Sequence, residues 1–463
     1  MNSIFFARQY AEDTKPQGAE STTRNIGVNA VFNYSYDDRL LFDATFRTNA
    51  SSQFGANQRW GNFWSLGAGW NMHNEKWLRS KEWFSRLKLR ASVGSTGSQG
   101  NNAYQSLATY NYSEKNYENK LGAYLMGMEN KDLKWQKKMD YNVGMDMSVK
   151  NNFNLVFDYY QSTTENLLVA FTLPPSTGFT TVQENVGKVR NTGIELSMSY
   201  MVLSRPQDRT FLTLSLRAAH NKNRVVKISD SMKAYNEKRD EMAESDSKLV
   251  TKYYDGVSMN AIWAVRSLGI DPATGREIYL TKDGVSTYEY RAEDMVVCGD
   301  NLPKLRGSFG INLGYKGFGL NVMCMYELGA KMYNETLVDR VENVNMSYAV
   351  DKRVLEGRWQ KPGDKVRFRS LKQVWDPEKQ AYKVDEKTYA TSRFVQKKNE
   401  LNISSINFSY DFFRHAFVKK MGMERLSVAF YMNDVAKLST IKTERGLSYP
   451  FARNYNFSLQ MTF

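Results

Sequence analysis

The end of the chain alternates without a fault. Tyr455, Phe457, Leu459, Met461 and Phe463 are apolar, and Asn454, Asn456, Ser458, Gln460 and Thr462 between them are polar. A period of two belongs to an extended strand whose two faces meet different surroundings. The same code recurs upstream. Ile26, Val28, Ala30, Phe32 and Tyr34 form one such row, and Leu87, Leu89, Ala91 and Val93 oppose Lys88, Arg90 and Ser92. Leu212, Leu214, Leu216 and Ala218 oppose Thr213, Ser215 and Arg217, while Phe309, Ile311, Leu313 and Tyr315 oppose Ser308, Gly310, Asn312 and Gly314. The pattern predicts about thirteen strands, over 25–35, 38–48, 63–72, 84–95, 139–149, 152–162, 191–201, 210–220, 304–315, 318–328, 401–411, 425–433 and 453–463.

Strand length and link length then select an architecture. Strands of soluble proteins average about five or six residues, whereas these approach the roughly ten that cross an apolar layer at a tilt. Short links, such as Asp37, Asn151 and Lys316-Gly317, alternate with long ones at 49–62, 96–138, 163–190, 221–303, 329–400 and 434–452. One rim therefore carries tight turns and the other large loops, as in outer-membrane barrels. The expected fold is all-β, a transmembrane antiparallel β-barrel. Loops 221–303 and 329–400 show no hydrophobic periodicity and are expected to carry function on a rigid scaffold. The alternative is a soluble or surface β-rich carbohydrate-binding protein, because soluble sandwiches also alternate.

Parity adds a constraint. Bacterial single-chain barrels have an even strand number, and thirteen is odd. If the last strand descends to the periplasm, the first descends as well, and residue 1 lies outside the cell. Met1 to Arg8 stops after three apolar residues, too few for a secretory signal. The expectation is the C-terminal part of a larger barrel. Residues 1–24 would be an extracellular loop remnant and 25–463 strands and loops, with no plug domain among them.

Composition narrows the chemistry. Lys plus Arg is 63 against 49 for Asp plus Glu, a net charge of +14, and mean hydropathy is −0.57. No helix could span a membrane, since the apolar runs, such as Ala261 to Val265, fall far below about 18 residues. With 28 Tyr and 13% aromatics the chain packs rather than staying disordered. Three His and two Cys leave little for a metal site or a disulfide framework. His73, His220 and His415 fall at separate turns or strand ends, and Cys324 shares the apolar register of Leu320 and Val322, a buried thiol facing lipid. No cofactor and no enzyme activity is expected. Gly94 to Gly100 lacks the Lys-Ser/Thr of a phosphate loop, and Asp271 to Glu277 reads as a tight turn rather than a calcium loop. Basic clusters such as Arg86 to Arg90 are dispersed over many elements, so nucleic acid is not expected as a partner.

Two sets of side chains remain. Trp60, Trp64, Trp70, Trp77 and Trp83, with Tyr36, Tyr200, Tyr315 and Tyr410, lie at or near strand ends, where amphipathic rings anchor a membrane interface. Sugar stacking is the functional alternative, with Trp60 and Trp135 as the candidate substrate-binding residues. Arg90, Asp146, Asp158, Glu195, Arg217, Arg306 and Glu327 fall on the polar, lumen-facing register.

Several runs carry a resemblance. They are Tyr36 to Arg39 leading into Ser51 to Asn57 and Arg59-Trp-Gly61, Leu87 to Ser92 ending in Gly94 to Gly97, and Asn185 to Leu196. Leu268 to Gly275, Pro303 to Leu305, Arg358 to Asp364, Ser392 to Val395 and Tyr449-Pro450 follow in order. Together they resemble the SusC/RagA family of TonB-linked outer-membrane proteins of Bacteroidetes. The resemblance implies a plugged barrel of about 22 strands, of which this chain would supply the C-terminal thirteen. It implies import of an oligosaccharide or peptide under a SusD-like lipoprotein, with the TonB complex engaged through an N-terminal part not in this chain. It also implies that the last strand, with Tyr455, Phe457, Leu459, Met461 and terminal Phe463, is the signal read by the outer-membrane assembly machinery.

Overall fold

A computed structural model describes residues 20–463 except 82, 99–102, 113–121, 167, 173–180, 186, 230–231, 238, 240–248, 345–349, 371–372, 377–380, 385–387, 413–414 and 443–450. Most of the expected 1–24 remnant and the Tyr449-Pro450 landmark lie outside the described residues.

Thirteen strands form one antiparallel sheet in strict chain order. They are β1 (Asn25–Tyr36), β2 (Leu40–Ser51), β3 (Trp60–Asn71), β4 (Phe84–Ser98), β5 (Gln136–Val149), β6 (Phe153–Glu165) and β7 (Lys188–Arg205). β8 (Thr210–Lys227), β9 (Leu305–Tyr315), β10 (Phe318–Tyr333), β11 (Val395–Asp411), β12 (Arg425–Ser439) and β13 (Tyr455–Thr462) complete it. Each neighbour is the next strand in sequence, so every connection is a hairpin. Three of the tight turns have positive φ at both central residues, Asp37 and Asp38, Lys150 and Asn151, and Lys316 and Gly317. That backbone matches the right-handed twist of the flanking strands.

Register carries the alternation across the whole sheet. Leu89, Met145, Phe157 and Leu196 line up strand to strand on the apolar face. One residue along, Arg90, Gly144, Asp158, Glu195 and Ala219 line up on the polar face, continued by Arg306, Glu327 and Glu400. A slip of one residue would exchange the two rows entirely, which is why the pattern specifies the register so firmly. The apolar face is not covered by protein: Ile26 is 65% exposed, Phe457 79% and Leu459 58%. A soluble sandwich would bury such a face, so this surface excludes the soluble alternative. Cys324 lies opposite Phe309 and Ile403 in the apolar register and is buried.

The loop rim departs from expectation. Links 228–304 and 334–394 are not featureless: a second sheet is formed by Ala261–Ile270, Glu277–Leu280, Ser286–Thr287 and Met295–Asp300. The residues 261–265 are buried on both faces. Ala261, Trp263 and Val265 pack with Val250, Tyr279, Ala292, Met295 and Ala390. Ile262 packs the other way, with Tyr333, Leu337, Val338, Val341, Phe368 and Phe394. A strand covered on both sides is continuously apolar rather than alternating, so a period-two reading passes over it. The second core draws on both loops and on the ends of β10 and β11, so the two loops make one folded module.

Candidate functional site

The polar face carries a belt of charge at one level. On β4 to β6, the Arg90 guanidinium meets Asp146 at 3.1 Å and Asp158 at 2.7 Å. On β10 to β12, Lys398 meets Glu327 at 2.8 Å and Lys437 meets Glu400 at 2.8 Å. Both flanks are thus neutralised within the wall. Between them, on β7 to β9, Glu195, Arg217 and Arg306 form no ion pair among the described residues and line a concavity of about 610 Å³ with Asp158, Glu327 and Glu400. All seven charges expected on the lumen-facing register belong to this belt or border it.

Three of the sequence runs that carried the family resemblance, Leu268 to Gly275, Arg358 to Asp364 and Ser392 to Val395, meet in the two-loop module. Asp271 accepts hydrogen bonds from the Ala273 amide (2.9 Å), Thr274 Oγ1 (2.7 Å) and Tyr288 Oη (2.7 Å). These donors, the Thr274 hydroxyl foremost, hold its carboxyl below the ordinary range. The turn so closed presents the Pro272 carbonyl to Trp359 Nε1 (2.9 Å) and the Gly363 amide (2.8 Å), clamping the first loop to the second. The Trp359 ring lies where a Cβ on Gly275 would be, at 2.6 Å, and Gly275 also has φ +75°, so only glycine fits. Arg358 is buried and donates to the carbonyls of Val354 (3.0 Å), Arg369 (2.8 Å) and Val341.

Arg393 is the junction. Its Nη2 lies 2.8 Å from Glu277 Oε2 of the first loop and 2.7 Å from Glu342 Oε1 of the second, and Thr391 Oγ1 donates to Glu277 Oε1 at 2.7 Å. Burial opposes its charge, but the two carboxylates outweigh that and raise its pKa further. Sequence reading found this arginine only as part of a landmark. Its partners stand 116 and 51 residues away, which no local pattern reveals.

The single-residue candidates fall elsewhere. Trp60 pairs with Ala50, in register with Trp64, Leu66 and Trp70 on the apolar face, and is 59% exposed there. Trp135 is buried. Phe54 stacks on it at 4.2 Å, Phe63 meets it edge-on at 5.4 Å, and its Nε1 donates to the Arg59 carbonyl. Neither ring offers a sugar a free face inside the belt. Tyr455, Phe457, Leu459 and Met461 stand on exposed β13, with Phe463 just beyond it. The three His residues bind separate partners: His73 the Leu87 carbonyl, His220 the Lys304 carbonyl and His415 the Tyr410 hydroxyl. Among the described residues no group of His, Cys, Asp and Glu could hold a metal ion.

Comparison with known proteins decides the family. The family model described as TonB dependent receptor-like, beta-barrel matches residues 5–350. The chain belongs to that family. It is an outer-membrane barrel protein of receptor type. TonB-dependent receptor P39 of Formosa agariphila is 24% identical over 94% of this chain and 45% of its own length. TonB-dependent receptor SusC of Bacteroides thetaiotaomicron is 29% identical over 53% of this chain and 26% of its own. Among solved structures, the RagAB peptide transporter matches with a TM-score of 0.80 at 20% identity, over 95% of this chain and 48% of that chain. The chain therefore spans about half the length of relatives it matches. In this family's setting the apolar face meets lipid, the polar face lines the lumen, tight turns lie in the periplasm and long loops face outward.

Proposed function

We propose that this chain forms the lumenal wall and outward-facing module of a TonB-energised importer of the SusC/RagA type. The observation that carries the proposal is the module itself, a two-loop unit with its own shared core, carried on the loop rim of the strands that bear the charged belt. Binding residues are best held on such a scaffold. A SusD-like lipoprotein is the proposed partner over the module, and the TonB complex the energy source. The cargo is a peptide or an oligosaccharide. The charged belt favours the peptide, as does the placement of Trp60 on the apolar face and of Trp135 under Phe54 and Phe63, in keeping with the peptide transport named for RagAB. The test is uptake of labelled peptides and oligosaccharides by cells carrying the intact protein, with and without an energised inner membrane. Energy-dependent uptake that ends when the module is removed is the expected result. Uptake unaffected by de-energisation, or by loss of both loops, would refute the assignment.

A further inference from the structure

We propose that Arg217 and Arg306 form a subsite in the lumen wall for a carboxylate of a passing peptide, with Glu195 receiving a cationic group of the same peptide. The inference rests on the importer reading and narrows its cargo to net-acidic peptides.

The floor of the concavity is made of two neighbouring rows of the polar face. In the first row Ala219 lies between Glu195 and Arg306. In the second, Arg217 lies between Ser197 and Ser308. Small residues therefore stand between the three charges, and the space of about 610 Å³ opens over them. Adjacent strands lie about 4.8 Å apart, so Glu195 and Arg306 stand about 10 Å from each other across Ala219. Arg217 is one diagonal step from both, within reach of long side chains. Two guanidiniums so placed can approach one carboxylate from two sides, and the planar N–H fork of arginine suits that anion.

The charges on either side are already matched. Arg86 and Arg90 oppose Asp146 and Asp158, and Lys398 and Lys437 oppose Glu327 and Glu400. Both flanks thus sum to zero. In the centre two arginines stand against one glutamate, a surplus of one positive charge. All three side chains belong to exposed residues and are unpaired among the described residues. A wall shaped for stability alone would pair them, as it does on both flanks.

The spacing suits a peptide. An extended chain advances at most about 3.3–3.6 Å per residue, so charged groups a few residues apart span the distance from Glu195 to Arg306. A carboxylate on the arginines and a cation on Glu195 would leave no charge in the centre without a partner. An uncharged oligosaccharide would leave the positive surplus unanswered, which is why the proposal commits to an acidic cargo.

The test measures energised uptake by cells carrying the intact protein. Labelled Ala-Gly peptides of one length carry a single Glu or a single Gln and end in a free carboxylate or an amide, which separates a side-chain carboxylate from a terminal one. Peptides with either carboxylate are expected to enter about tenfold faster, at limiting concentration, than the amidated Gln peptide. Arg217→Gln with Arg306→Gln should bring that ratio to parity. Glu195→Gln should lower the advantage of a free N-terminal ammonium over an acetylated one. If the double variant fails to assemble, which heat-modifiable gel migration reports, Arg306→Gln alone serves, its ratio falling part of the way. Equal entry of all probes through the unaltered protein, or a ratio unchanged in the variants, would overturn the proposal. So would an equal loss of every probe together with lowered heat stability, which would assign the arginines to holding another part of the protein in the lumen. Each of these results leaves energised uptake in place. Absence of energised entry for every peptide would instead remove the importer reading on which the subsite rests.

Discussion

Replacing Arg393 with Met removes a guanidinium that reaches both long loops. Met keeps much of the side chain's length and apolar volume, so the change isolates the charge. Left behind are Glu277 and Glu342, whose side chains are 3% and 0% exposed. Arg369 stands 3.5 Å from Glu342 and compensates it only in part. Removing one partner of a buried pair costs about 3–5 kcal/mol, because the remaining charge is stranded without water. The contact of the guanidinium with the Phe394 ring at 4.4 Å is lost as well and adds up to about 2 kcal/mol. Hydrogen exchange is the suitable assay, since it reads local opening separately from the stability of the barrel. Amides of 261–300 and 334–344 should lose protection by roughly two to three orders of magnitude, while β4 to β8 stay unchanged. Adding Glu277→Gln and Glu342→Gln should restore much of the loss, because neutral amides cost far less to bury than unpaired carboxylates. Unchanged protection in the single variant, or no recovery in the triple one, would refute the idea that the two loops share one electrostatic junction.

Other outcomes follow from the same structure. Deleting either long loop should unfold the remaining one, seen as new protease cleavage within it, because the first loop plugs Ile262 into a core that the second builds from Leu337, Val338, Val341, Phe368 and Phe394. Burial, with Lys282 nearby, lowers the Lys252 pKa to about 8, so above that pH the folded module has lost a proton that the unfolded chain keeps. Module stability should therefore rise between pH 8 and the ordinary lysine range, by at most about 3 kcal/mol, and Lys252→Met should abolish the rise in a pH series of thermal melts. Arg358→Lys should destabilise the module by a few kcal/mol, since one ammonium cannot serve three carbonyls held in a fork. Deleting Phe463 should lower the outer-membrane level several-fold if the terminal ring is an assembly signal. A normal level with a stability loss of about 1–3 kcal/mol would leave it an interface anchor only.

What the residues alone determined here is the large sheet. Period-two alternation identifies each long strand, link lengths separate the two rims, and register follows because a one-residue slip would bring charges such as Arg90 and Glu195 to the lipid face. The lumen-facing charges were legible for the same reason: face is a local property of an extended chain. The module was not. Ala261 to Val265 is apolar throughout because both its sides are covered, and a short uninterrupted run does not distinguish a buried strand from other buried structure. Trp135 could equally have been a platform until Phe54 and Phe63, 81 and 72 positions earlier, were seen to cover it. Arg393 stood out only within the Ser392 to Val395 run until Glu277 and Glu342 closed on it. Contacts between residues far apart in the chain depend on where whole loops pack, and that packing is settled only by burying apolar surface from several segments at once.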